Sequence, residues 1–120
     1  MTRSVFLTEA EQAAVESVVE SLVGTLGENL IRLVIYGSKV RGDYSEDSDI
    51  DLLVLVKQVS SEQRMLIYDR LLDLELRYES RISLVFFSEY EYERNLELES
   101  FFIENVNRDG VDLWVNPGLN

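Results

Sequence analysis

The sequence predicts an α/β (α+β) chain in which helices are layered on a sheet of three to four strands. Three observations carry that reading. Capping patterns recur ahead of apolar residues at helical spacing, short apolar runs rich in β-branched residues lie between them, and the two kinds of segment alternate along the chain.

Thr8-Glu9-Ala10-Glu11 places a hydroxyl at a helix N-cap and a carboxylate three residues on. Ala14, Val15, Val18, Val19, Leu22 and Val23 follow at helical spacing, so a first helix covers residues 8–26, with Gly27 as its stop. Residues 30–36 are apolar apart from Arg32, the profile of a strand covered on both faces. Gly37-Ser38 breaks the run, one or two helical turns fit before Gly42, and a polar loop spans residues 43–48. Residues 49–56 read as the second strand, with Ile50, Leu52, Val54 and Val56 on one face and Asp49, Asp51, Leu53 and Leu55 on the other. Ser60-Ser61-Glu62-Gln63 caps a second long helix with an apolar stripe of Ile67, Leu71, Leu74 and Tyr78, widened by Leu72 and Leu76. Residues 82–87 form a third strand, and Ser88-Glu89-Tyr90-Glu91 opens a helix reaching about residue 99. Residues 101–107 are a further helix that Gly110 ends, and Val111, Leu113 and Val115 alternate with Asp112 and Trp114 as a last edge strand. Neither an internal repeat nor a Pro/Gly-rich linker divides the sequence, so residues 1–120 read as a single domain.

Composition removes several classes of chemistry. The absence of cysteine and histidine excludes disulfides, thiolate metal sites and imidazole bases, leaving carboxylates, hydroxyls, amines and oxygen-bound cations. A net charge of -12 repels a phosphate backbone and argues against general nucleic-acid binding. No apolar run approaches the roughly 18 residues of a membrane span, and the first residues lack the apolar core of a signal peptide, so a cytoplasmic protein is expected. At 120 residues, a large acceptor surface must come from a partner.

The informative stretch is residues 36–56, YGSKVRGDYSEDSDIDLLVLV. A glycine beside a helix start lets backbone N–H groups approach a phosphate, and Ser38 adds a hydroxyl. Asp49 and Asp51, two apart on a strand, point the same way and offer oxygens suited to Mg²⁺. Arg41 can neutralise charge on a triphosphate, while for both Lys39 and Arg41 a solvent-facing position is the alternative. The P-loop pattern is absent. The run Glu89, Glu91, Glu93, Glu97 and Glu99 reads chiefly as a solvated helix face.

Gly37-Ser38, Arg41-Gly42 and Ser48-Asp49-Ile50-Asp51 together resemble the minimal nucleotidyltransferases of the DNA polymerase β superfamily, including the antitoxins of HEPN/nucleotidyltransferase toxin-antitoxin pairs. The resemblance implies a nucleotidyltransferase fold with a mixed sheet, Mg²⁺ as cofactor, and ATP or another nucleoside triphosphate as substrate. It implies Asp49 and Asp51 as catalytic metal ligands, Gly37, Ser38, Arg41 and Ser48 as nucleotide-binding residues, and a HEPN-type toxin as partner and acceptor. Active members commonly carry a third carboxylate on the following strand, where this chain has Ser83; Glu79 is the nearby acid that could take its place. Two other functions fit the same residues: a degenerate module that neutralises a toxin by contact alone, and a transferase acting on a small molecule such as an aminoglycoside.

Overall fold

The computed structural model describes residues 5–42 and 48–118, so the loop expected over residues 43–48 falls, except for its last residue, outside the described residues. Helix α1 (Glu9–Leu26) is followed by a 3-10 turn (Gly27–Asn29), strand β1 (Leu30–Tyr36), the short helix α2 (Ser38–Arg41) and β2 (Ile50–Val56). Then come α3 (Ser61–Tyr78), β3 (Ile82–Ser88), α4 (Glu89–Glu97), α5 (Phe101–Asp109) and β4 (Val111–Val115). Among the described residues, no helix is long and apolar enough to cross a membrane.

All three capping boxes form. Thr8, Ser60 and Ser88 accept from the backbone N–H of Glu11, Gln63 and Glu91, whose side chains accept in return from the cap N–H groups, at 2.9–3.1 Å. Each satisfies two donors that a helix start otherwise leaves open. α4 stops at Glu97, short of the expected residue 99, because Glu99 takes a left-handed φ of 52° and Ser100 caps α5, accepting from the Ile103 N–H at 3.3 Å. β3 extends one residue beyond its expected end: Ser88 lies in register with Val56 and also caps α4.

The sheet order is β3-β2-β1-β4, with β2 and β3 parallel and the other pairs antiparallel. Alternation along β2 divides its side chains as expected. Ile50, Leu52, Val54 and Val56 join Leu22, Leu26, Ile67, Leu71 and Leu74 in the main core beneath α1 and α3. On the opposite face, Leu53 packs with Val34 and Val106, bordered by Tyr36, Val85, Phe87, Tyr92 and Phe102 under α4 and α5. Asp51 alternates onto this second, thinner face.

Candidate active site

β1 ends at Tyr36, and Gly37 turns the chain at a φ of 87°, a left-handed geometry that favours glycine. α2 starts at once: the N–H groups of Val40 and Arg41 donate to the Gly37 carbonyl at 3.1 and 3.2 Å, and that of Gly42 donates to the Ser38 carbonyl at 2.8 Å. The first N–H groups of such a turn have no acceptor within it. The antiparallel register sets Asp51 opposite Tyr36, which carries its carboxylate to the bend. A Cβ on Gly37 would stand only 2.5 Å from Asp51 Oδ2, so the glycyl-seryl turn and this acid meet directly.

The electrostatics bind further groups to the same place. Partial burial, and then the neighbouring Asp49 charge, hold the Asp51 carboxyl above its ordinary pKa, while Arg41 pulls it down. A carboxyl whose ionisation a neighbouring carboxylate opposes suits a cation shared with that neighbour, and this donor set fits Mg²⁺. Arg41 is partly exposed, with Nη1 3.8 Å from Asp109 Oδ2, and so stands within reach of both the acid and solvent. The Tyr36 hydroxyl is pushed up to about 12 by burial and by the Asp51 charge, so it remains a neutral donor at physiological pH. Asp49 Oδ1 lies 3.3 Å from Arg81 Nε; with the two side chains 49% and 65% exposed, this pair is solvated and replaceable.

Ser38 is the first residue of α2, and Ser48 lies half-buried immediately before Asp49. Lys39 has neither of the positions open to it in the sequence. Its ammonium is buried and held 2.8 Å from Glu11 Oε2, so it braces the turn against the start of α1. The Phe6 N–H donates to the Lys39 carbonyl at 2.8 Å on the same side. Ser83 sits beside Asp51 in the parallel register, at the position expected of the third acid. Glu79 does not replace it. Glu79 caps α3 and lines a hollow of about 360 Å³ with Lys39, Glu11 and Ser80, and among the described residues no third acid joins Asp49 and Asp51.

Residues 20–109 match the family described as Polymerase beta, Nucleotidyltransferase. The chain belongs to that family. A Methanocaldococcus jannaschii protein named "Putative protein adenylyltransferase" is 30% identical over 89 residues, covering 73% of this chain and 83% of that protein. The fold is also that of spectinomycin adenyltransferase AAD(9) from Enterococcus faecialis, solved with ATP and spectinomycin, at a TM-score of 0.70 and 16% identity. The match covers 88% of this chain and spans 56% of that enzyme. A chain from the complex of tri-AMPylated Shewanella oneidensis HEPN toxin with MNT antitoxin superposes at a TM-score of 0.52 and 20% identity, covering 87% of this chain and 71% of that one.

Three features of this nucleotidyltransferase escape a reading by motif. Tyr36 was visible only through the hairpin register that sets it against Asp51. The Arg81 pairing follows from Arg81 preceding β3, whose parallel register with β2 brings it beside Asp49. The Lys39–Glu11 pair joins elements far apart in sequence and left no local signal.

Proposed function

We propose that this nucleotidyltransferase, acting as a single domain over residues 1–120, transfers AMP from ATP to a hydroxyl of a partner protein and serves as the antitoxin to a HEPN-type toxin. The observation that carries the chemistry is the contact between Gly37 and the Asp51 carboxylate, with Asp49 coupled to the same acid. The partner-protein acceptor is supported by the name of the Methanocaldococcus jannaschii relative and by the AMPylated toxin in the structurally similar complex.

In this reading Gly37, Ser38 and Ser48 seat the triphosphate, Arg41 balances its charge, and Asp49 and Asp51 hold Mg²⁺ as the catalytic pair. When bound, the ion neutralises charge on the phosphate oxygens. The partner's hydroxyl oxygen forms a bond to the α-phosphorus, the bond from that phosphorus to the bridging oxygen breaks, pyrophosphate leaves, and the hydroxyl proton passes to water. Ser83 supplies no carboxylate for that proton, and general-base help is worth roughly 10²- to 10⁴-fold, so turnover is expected to be slow.

The test is incubation of the chain with ATP, Mg²⁺ and a HEPN-type partner, read by intact mass, with an aminoglycoside as a parallel acceptor. Added AMP on the partner, lost in Asp49→Asn, is the expected result; a partner of unchanged mass under every metal condition rejects it. The Ser83 position favours one second reading, neutralisation by contact alone. An Asp49→Asn/Asp51→Asn variant that still neutralises the toxin would select that reading over the first.

A further inference from the structure

The two edges of the sheet are finished differently. β4 has five residues, its register with β1 shifts between Leu33 and Val34, and its Asp112 pairs with Arg32 at 2.6 Å. Shortness, irregularity and charge keep a sheet edge from recruiting another strand. β3 has none of these. Its seven residues, ISLVFFS, include no charge and no proline, and they pair with β2 without a register shift. On its other side no strand lies among the described residues.

Beside that bare edge runs α3. Tyr68 meets Phe86 of β3 in a T-shaped contact at 6.1 Å, and the Arg64 guanidinium lies 4.7 Å from the centre of the same ring, so this flank of α3 adjoins β3. From Tyr68 an exposed apolar stripe continues through Met65, Leu72 and Leu76, the last of them 73% exposed. Their spacing keeps all four on one side of the helix.

We propose that the chain forms a two-fold homodimer through β3 and α3. The β3 strands pair antiparallel across the axis, joining two four-stranded sheets, and the α3 helices pack stripe to stripe over the seam. A second copy is the occupant that fits both features at once. Outward N–H and C=O groups of a regular strand are complemented by an antiparallel copy of that strand, and a two-fold axis perpendicular to the sheet brings the same helix to the same face. Charge points the same way. Two chains of net charge -12 repel each other, yet across residues 61–88 Arg64, Arg70, Arg77 and Arg81 nearly balance Glu62, Asp69, Asp73, Glu75 and Glu79. A basic partner would be drawn instead to the glutamates of α4. Asp51 lies on the opposite face of the sheet from α3, so this dimer leaves the acid uncovered.

Sedimentation velocity of the full chain at high micromolar concentration, with backbone hydrogen exchange over residues 83–87, tests the proposal. Expected are a species of twice the chain mass and slow exchange in that strand. Leu72→Glu/Leu76→Glu should weaken self-association at least tenfold and speed that exchange, with an unchanged circular dichroism spectrum. Should the spectrum change, Leu76→Arg alone replaces the double variant with the same expected result. A monomeric wild-type chain overturns the proposal, even one that uses α3 to bind a different protein. So does a dimer that survives these substitutions, or one whose β3 amides exchange as fast as the variant's.

Discussion

The face of the sheet under α1 and α3 buries Leu52 and Val54 completely among Leu22, Ile67, Leu71 and Leu74, whereas the face under α4 and α5 carries a smaller buried cluster of Val34, Leu53 and Val106 and leaves its aromatic border partly open. Both faces belong to the same strands, so the difference arises from what alternate residues meet. The first face meets two 18-residue helices; the second meets two helices of nine residues and carries Asp51 and Tyr36. A carboxylate such as that of Asp51 is better tolerated beneath an incomplete core, because burial of an unpaired charge is costly. Stability is therefore concentrated on one side and polar chemistry on the other, and substitutions should sort accordingly.

The largest expected effect is on the polar side. Asp51→Asn should reduce adenylyl transfer by more than the roughly 10- to 100-fold that loss of an outer-shell metal partner costs, measured as AMP incorporation. Its stability should change the other way. A carboxyl whose pKa is raised on folding binds its proton more tightly in the folded state, so its contribution is fully present below the unfolded value and declines as pH rises through the raised one. Removing that charge should make the variant at least as stable as wild type at neutral pH in urea titrations; a clear loss of stability would mean that Asp51 is part of the frame.

Leu52→Ala and Leu53→Ala compare the two faces at adjacent positions. Both should fall within the usual 2–5 kcal/mol for such truncations, with Leu52→Ala near about 4 and Leu53→Ala near about 2 kcal/mol by denaturant unfolding. Equal losses would erase the asymmetry. Glu11→Ala leaves the buried Lys39 ammonium uncompensated and should cost about 3 kcal/mol. Burial raises the Glu11 pKa, but the Lys39 and Thr8 hydrogen bonds and the Lys39 charge together bring it below the ordinary value. The contribution of Glu11 should thus be complete above the unfolded pKa and disappear as pH falls through the folded one, a step that acid titration of the variant would lack.

Tyr36 gives a smaller effect at the alkaline end. With its hydroxyl pushed up to about 12, the folded state resists ionisation, so wild-type stability should fall as pH rises from the ordinary tyrosine range toward that value, and Tyr36→Phe should flatten the decline. Arg32→Ala is the smallest. Its partner Asp112 is at the partly exposed β4 edge, and the change should remain under about 1 kcal/mol.

Much of this was legible in the chain because its signals are local. The capping boxes at Thr8, Ser60 and Ser88 required only a hydroxyl and an acceptor three residues on, and the two faces of β2 required only alternation. The meeting of Gly37 with Asp51 needed one hairpin register, and the helix–strand order made that pairing natural. The burial of Lys39 was out of reach: its partner Glu11 is a first-turn residue on α1, in a position occupied on most helices by a solvated acid. α4 ends short of residue 99, which was out of reach for a related reason, since a glutamate in left-handed geometry at that position leaves no compositional trace.

The fit at Gly37 also has a mechanical consequence. With the Asp51 oxygen already occupying the space that a side chain would need, the bend and the acid behave as one piece: neither shifts without pushing on the other. A single added methyl group at residue 37 would therefore act as a wedge, dislodging the carboxylate while leaving the hydrophobic interior on the far side of the sheet untouched.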